Sequence, residues 1–447
     1  MKTVSLLIDL FISIVIFFIG FLFIKIKFFN KKVAKSASKK SLFIYDWEIG
    51  PISISEDVDI DVNEYLQDIF KRGLSHYCVD RTLIVYPFSD GTSKSKRLTK
   101  GVQNLELAAF EGLKKVPDQL VCVRRVVTLL RNLYVLAEIS LRFKADYIEV
   151  YSFSRSSIIA YWLKKIIGVK VLCQVMGNYH WQVRSQRALS PTARPLDRVA
   201  LFIDKLRHSI ILRSFDGLLA FSDNIAESLR PLGVVDNKIY RTRITSDPII
   251  EHLVLDGGDG VSSGFDFPFF VTWARLEGSK YAEDGLQAAL LVLSKVPDVK
   301  YVMIGEGSLR PALEEMANNH PEGHRVIFTG NLPRQQALSI AQKALVALHP
   351  LSGFSLLEAG YLKLATVAYK IEWCNEIIVD NYSGKLSEFR QPEKLADDIC
   401  FLLEHQEIAK EMGERLYDIV ASRHDASYVI KDREAKIMQF LESKPTY

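Results

Sequence analysis

From Ser41 onward the chain alternates short runs rich in β-branched and aromatic residues with amphipathic stretches. That rhythm is the signature of βα units around a parallel sheet. Strand candidates in the first half are Thr82–Tyr86, Tyr147–Tyr151, Val169–Gln174 and Gly217–Phe221, with helical stretches expected at Val102–Leu113 and Ser156–Ile167 between them. The strands are mostly apolar, as strands covered on both faces must be. Between Leu255 and Phe265 the chain reads DGGDGVSSG, the composition of a hinge. New strand candidates follow at Phe269–Trp273, Val299–Ile304, Val326–Thr329, Ala344–Leu348 and Thr366–Tyr369. The 447 residues leave room for two such α/β domains at about 100–200 residues each. Expected divisions are an anchor and basic segment over 1–40, a first domain over 41–254, a linker over 255–265, a second domain over 266–424, and a C-terminal helix over 425–447 that returns to the first domain. No repeat of solenoid period is visible.

Val4 to Ile24 is apolar apart from Ser5, Asp9, Ser13 and Gly20, long enough as a helix for a hydrocarbon core of roughly 30 Å. Asp9 lies near one end, where it reaches the interface at little cost. Seven lysines (25, 27, 31, 32, 35, 39 and 40) follow this run and only Lys2 precedes it. Positive charge stays on the cytoplasmic side, so a single-pass anchor with the remaining chain in the cytoplasm is expected. A cleaved signal peptide would carry its charge ahead of the apolar run instead.

Charge excludes one class of partner. Residues 1–40 hold eight Lys and one Asp, which leaves 49 Lys and Arg against 52 Asp and Glu in the body. A slightly acidic body does not track phosphates, so nucleic acid is not an expected partner. The five Cys (78, 122, 173, 374 and 400) have neither disulfide-framework nor metal-type spacing and suit a reducing compartment. Asp57, Asp59 and Asp61 spell D-x-D-x-D but lack the glycine and terminal glutamate of a calcium loop, so no metal site is expected. The serines around Arg155 lack a G-x-S-x-G elbow, which argues against a serine hydrolase.

The most informative stretch runs from Ala344 to Leu386: ALVALHP, LSGFS, LLEAGYLKL, ATVAY, EWCNEIIVDNYSGKL. Loops at the carboxyl ends of parallel strands are where such sheets bind ligands. Ser355 and Glu358 spell S-x-x-E, which either builds a capping box or sets Glu358 in a first helical turn facing a cleft, where one carboxylate accepts from both hydroxyls of a ribose. Arg275 and Lys280, five apart after a strand, either converge on a diphosphate or pair with Glu277 and Asp284. Gly305-Glu-Gly307 permits close backbone approach, or simply makes a tight turn; Arg310 at the third glycine of a dinucleotide fingerprint argues against a nicotinamide enzyme. MGNYHWQVRSQR after the strand Val169–Gln174 supplies His180, Arg184 and Arg187, an aromatic and basic loop suited to a sugar face and a phosphate, or a plain surface loop.

Together these stretches resemble glycosyltransferase family 4, whose members share the two-domain GT-B fold. WARLEGSK is similar to the family's G-R-L-x-x-x-K-G turn, YVMIGEGSLRPALE to its glycine-rich turn, FTGNLPRQQ to its F-x-G loop, SLLEAGYLKLATVAY to its Glu-Ala helix, and NEIIVDNYSGKL to its closing motif. SFDGLLAFSDNIAESLRPLGVVDNKI resembles the family's first-domain strand and helix. The family usually sets a second glutamate eight residues before the Glu-Ala glutamate; here that position is Pro350, or Ser352 if the loop is two residues shorter. Lys363, Ala365 and Ala274 also depart from family glycine and proline positions.

The resemblance implies a metal-independent, retaining enzyme without cofactor that takes a nucleotide-diphosphate sugar, UDP-linked by first expectation. It implies Arg275 and Lys280 as catalytic cations on the diphosphate and Glu358 on the ribose. Gly305, Gly307, Gly330, Gly353, Phe354, Ser355 and Glu376 are implied around the donor, and His180, Arg184 and Arg187 at the acceptor. With the anchor, the expected partners are the membrane, a lipid-linked or membrane-proximal glycan and other envelope glycosyltransferases, in polysaccharide or glycolipid assembly. The alternative is a non-catalytic GT-B-like scaffold or nucleotide-sugar-binding subunit, motivated by the missing first glutamate.

Overall fold

The computed structural model describes residues 2–29, 31, 38–44, 76, 78–86, 95–100, 103–109, 121–152, 154–177, 195–246, 250 and 265–444, of which 2–12, 86, 95–100, 103–109, 121, 124 and 196 are described by their backbone alone. Helix α1 spans Lys2–Lys27. The first sheet contains β1 (Lys40–Ile44), β2 (Arg81–Tyr86), β3 (Ser95–Lys100), β4 (Gln103–Ala109), β5 (Tyr147–Tyr151), β6 (Lys170–Val175), β7 (Gly217–Ala220) and β8 (Ile239–Arg241). Their spatial order is β3-β4-β2-β1-β5-β6-β7-β8, parallel except that β3 runs antiparallel to β4. Helices α2 (Val121–Phe143), α3 (Arg155–Ile167), α4 (Pro195–Ser214) and α5 (Asp223–Leu229) connect the later strands. Ser154 and Ser222 start α3 and α5 by accepting from the amides of Ser157 and Ile225, and Gly168, at φ 67°, ends α3.

The second sheet has β9 (Phe269–Trp273), β10 (Lys300–Ile304), β11 (Val326–Gly330), β12 (Ala347–Leu348), β13 (Thr366–Tyr369) and β14 (Lys385–Ser387), all parallel, in the order β11-β10-β9-β12-β13-β14. Its helices are α6 (Ala282–Lys295), α7 (Arg310–Asn318), α8 (Arg334–Ala341), α9 (Phe354–Tyr361), α10 (Cys374–Ile377), α11 (Pro392–Glu404), α12 (Gln406–Arg423) and α13 (Ala426–Glu442). Two Rossmann-like α/β domains result. In each, alternate strand residues feed opposite cores. Ile148 and Val150 of β5 pack with α2, α3 and α4, whereas Tyr147 packs with α13.

Helix α13 lies on the first sheet although it follows the second domain. Phe440 sits edge-on to Tyr147 and Tyr240, and a Cβ on Gly217 would approach its ring to 2.7 Å. The Lys170 ammonium donates to the carbonyl of Phe440 (2.8 Å) near the helix C-terminus, where positive charge is favoured. Fully buried Glu149 on that face accepts from Gln174 Nε2 at 2.8 Å and meets His76 at 3.1 Å.

Two expectations need correction. Val102–Leu113, expected as a helix, contains the strand β4 over Gln103–Ala109. Leu105 and Leu107 alternate with Asn104 and Glu106, a period of two that pairs with β2. The membrane-spanning helix is not supported either: among the described residues no helix is long and apolar enough to cross a membrane. The described part of α1 instead lies against the first domain. Phe21 meets Trp162 of α3 at 4.7 Å, Ile24 and Phe28 are buried, and a Cβ on Gly20 would come within 2.5 Å of Leu130. The linker 255–264 and Asp57, Asp59 and Asp61 lie outside the described residues.

Candidate active site

The site forms where β9, β10, β12 and β13 end. After Trp273 the chain turns through Ala274 and Arg275 into a single 3-10 turn, Gly278–Lys280, and enters α6. Gly305 has φ 137°, and a Cβ there would stand 2.0 Å from the Ala274 carbonyl oxygen; at Gly307 it would stand 2.2 Å from that of Leu276. Both glycines therefore serve the contact between two loops, sealed by Ala274 N–H to Ile304 O (3.0 Å) and Leu276 N–H to Glu306 O (2.8 Å). Their missing Cβ atoms face neighbouring backbone rather than open space, so what they do is fix the Arg275 loop. Gly330, at φ 76°, ends β11 and accepts from the Gly305 amide at 2.9 Å.

Arg275 and Lys280 line one crevice with Thr272, Leu276, His349 and Leu351. The acids that might have neutralised them are engaged elsewhere. Glu277 accepts from the Ser308 amide (2.9 Å) and hydroxyl (2.7 Å), which hold its carboxyl below the usual range. Asp284 accepts from Tyr369 Oη (2.8 Å) and pairs with Arg390. Among the described residues, neither Arg275 nor Lys280 forms an ion pair. Burial pushes the Lys280 ammonium below its ordinary pKa, and the nearby Arg275 guanidinium adds to this, with Glu372 opposing. A dianionic ligand would relieve that repulsion.

His349, at the end of β12, is 1% exposed and edge-on to Trp273, ring centroids 4.4 Å apart. Among the described residues, neither ring nitrogen has a hydrogen-bond partner. Burial, then Lys280, push its pKa down to about 3, so it is neutral at physiological pH. Sequence reading missed this residue, since a single His before Pro350 carries no spacing signal.

Glu358 departs from expectation. Gly353 is the N-cap of α9 and makes no side-chain cap bond, while the Ser355 hydroxyl donates to the Trp273 carbonyl at 2.7 Å, so there is no capping box. Glu358 is the fifth residue of the helix rather than in its first turn, and is 7% exposed. Its Oε2 accepts from Trp273 Nε1 (2.7 Å), and its Oε1 accepts from Arg334 Nε (2.9 Å) and Nη2 (2.6 Å). The carboxylate meant for a ribose is thus held by an indole and a guanidinium. It lies across β9 from the Arg275 crevice, because Trp273 and Thr272 point to opposite faces. Arg334, 32% exposed on its side chain, is the solvent-facing end of that network.

Gly353 sits half-buried beside Trp373, whose indole donates to the Ser352 carbonyl, and Phe354 and Ser355, also half-buried, open α9. Glu376 is in α10 and reaches the other domain: its Oε1 accepts from the Asn224 amide at the start of α5 (2.9 Å). Asn224 Nδ2 in turn donates to Glu372 O and Asn375 Oδ1, both 2.6 Å. Gly177, after β6, faces the Glu372 side chain, where a Cβ would come within 3.0 Å. The two domains therefore meet across these loops. His180, Arg184 and Arg187 lie outside the described residues.

Comparison with known proteins bears on this geometry. Residues 263–418 match the family model Glycosyl transferases group 1. The alpha-D-kanosaminyltransferase of Streptomyces kanamyceticus is 23% identical over 278 residues, covering 60% of this chain and 70% of that one. Among solved structures, sucrose-phosphate synthase from Thermosynechococcus elongatus superposes with a TM-score of 0.67 at 14% identity, covering 91% of this chain and all (100%) of that one. Anabaena HepE, determined in complex with UDP-glucose, superposes with a TM-score of 0.61 at 15% identity, over 90% of this chain and 99% of that one. Two facing Rossmann-like domains are thus an arrangement shared with solved structures, residues 263–418 are similar to group 1 glycosyltransferases, and the enzyme class of the chain is glycosyltransferase.

Proposed function

We propose that this chain is a retaining, metal-independent family 4 enzyme that moves a hexose from a UDP-sugar to a lipid-linked or membrane-proximal glycan. Its setting is cell-envelope polysaccharide or glycolipid assembly, with the catalytic domains held at the cytoplasmic face of the membrane. The observation that carries the reading is the pair Arg275 and Lys280, converging at the ends of parallel strands while Glu277 and Asp284 are occupied elsewhere. In transfer, the bond between the anomeric carbon and the β-phosphate oxygen breaks and the acceptor hydroxyl oxygen bonds that carbon. The hydroxyl proton leaves with the diphosphate. Fixed cations beside the departing oxygens stabilise charge that grows only as the bond breaks, without help from a metal. Support for a UDP donor comes from the UDP-glucose complex of HepE, and for transfer of a glycosyl group from the kanosaminyltransferase relative. Support for the cytoplasmic setting comes from the lysines after α1 and the five free cysteines.

The test is incubation of the membrane-bound chain with UDP-, GDP- and ADP-sugars and a lipid extract, scoring product and its anomeric configuration by NMR. Retained configuration from a UDP-sugar is expected. Arg275→Ala and Lys280→Ala should each lower turnover by about 10²–10³-fold, as losing one stabilising donor does. Binding without transfer or hydrolysis of any donor would instead make the chain a scaffold.

A further inference from the structure

Helix α4 is amphipathic the wrong way round for a helix that only covers a sheet. Its inner face, with His208, Ile211 and Leu212, is buried against the first domain. On its outer face Val199, Phe202, Ile203, Leu206 and Ile210 are 53, 68, 58, 49 and 43% exposed, at spacings of three and four that form one helical stripe. Helix α1 repeats the pattern. Phe21, Ile24 and Phe28 face the body, while Phe18, Ile19, Leu22, Phe23 and Ile26 are 58–66% exposed. Both helices lean on α3, α1 through Trp162 and α4 by direct packing, so the two stripes belong to one helical layer on one side of the sheet.

The charges beside these stripes share a sign. On α4 the exposed charged residues are Arg198, Lys205, Arg207 and Arg213, whereas Asp197 and Asp204 are half-buried and Asp204 pairs with Arg207 at 2.7 Å. On the described part of α1 they are Lys25 and Lys27. Exposed apolar stripes of this extent mark an interaction surface. We propose that the outer faces of α1 and α4 together form an in-plane binding surface for an anionic bilayer, with phenylalanine and aliphatic side chains entering the acyl boundary and lysine and arginine meeting lipid phosphates. This rests on the membrane-attached reading above but replaces a crossing helix by a two-helix surface. A second copy of the chain is a poor occupant, because a two-fold contact would bring the basic rims together. A nucleic acid has no use for Phe202 and Ile203 at the centre. The contacts of Phe21, Ile24 and Phe28 with the first domain also keep α1 beside α2 and α3 rather than free to cross.

Full-length protein is tested by flotation with vesicles of phosphatidylcholine alone and of phosphatidylcholine with phosphatidylglycerol. The side chains altered in F202S/I203S/L206S are exposed, so folding is retained, checked by circular dichroism, and UDP binding in solution should be unchanged. That variant should lose at least about tenfold in partition to anionic vesicles, the equivalent of 1.4 kcal/mol. R198E/K205E should lose the preference for phosphatidylglycerol, and alkaline carbonate should release the wild type. Undiminished vesicle binding by F202S/I203S/L206S, wild type retained through carbonate, or a variant that loses only self-association would each overturn the proposal. A failure of the glycosyltransferase reading would show instead in the UDP-binding arm, which needs no membrane.

Discussion

Replacing Glu358 by alanine removes an acceptor from two donors at once, and the structure sets the size of the effect. Trp273 is 6% exposed and its indole N–H has Glu358 as its acceptor at 2.7 Å, so the truncation strands a buried donor, at a cost of about 1–3 kcal/mol. The Arg334 guanidinium loses a two-bond pair, but it is one-third exposed and water replaces much of what is lost, which adds about 1 kcal/mol or less. A destabilisation of about 1–4 kcal/mol is expected, read as a shift in the urea midpoint at unchanged slope. Glu358→Gln keeps an oxygen for the indole and should recover roughly half, since a neutral amide still hydrogen-bonds Arg334 poorly. Because the Trp273 ring also abuts His349 beside Arg275, both variants should weaken UDP binding as well. A Glu358→Ala midpoint indistinguishable from the wild type would refute the network. Loss of stability with unchanged UDP affinity would leave Glu358 a structural residue, uncoupled from the donor site.

Three further outcomes follow from single positions. Gly305→Ala places a methyl 2.0 Å from a backbone carbonyl at φ 137°, so it should cost several kcal/mol, about 2 or more, and displace the Arg275 loop, seen as a lost UDP-induced rise in melting temperature. Phe440→Ala empties the contact between α13 and β5, β7 and β8 and should cost about 3–5 kcal/mol. His349 and His424 are buried and neutral, with pKa values pushed down to about 3 and about 4 by burial. The unfolded chain therefore binds their protons first as pH falls below about 6.5, and stability should decline between pH 6.5 and 4. Each histidine contributes a slope of about 1.4 kcal/mol per pH unit, and His349→Gln should flatten the acid limb if the account of its burial is right.

The second domain was legible because its longer strands, such as β9 and β10, are apolar along almost their whole length and their loops carry glycine and proline punctuation. Strands β8 and β14 span three residues each, too short for any period to register. β4 was misread because its alternation over Asn104–Leu107 sits inside a stretch that also fits a helix. The cations of the site were visible from their place after a strand, but the partners of Glu358 were not: Trp273 and Arg334 lie 85 and 24 residues away and only the fold brings them to it. Apolarity over Val4–Ile24 was plain, yet hydropathy does not say whether a helix meets lipid or protein. Here Trp162 and Leu130 take one face and leave the other outward.

The central claim is that Arg275 and Lys280 grip a nucleotide's phosphates, and titration of wild type and R275A/K280A with UDP and with uridine isolates it. Wild type should prefer UDP over uridine by about 10²-fold or more, the worth of two charge-assisted contacts at about 1.5–3 kcal/mol each, and the preference should collapse toward unity in the double variant while uridine affinity holds. An unchanged ratio of UDP to uridine affinity in R275A/K280A would contradict the account.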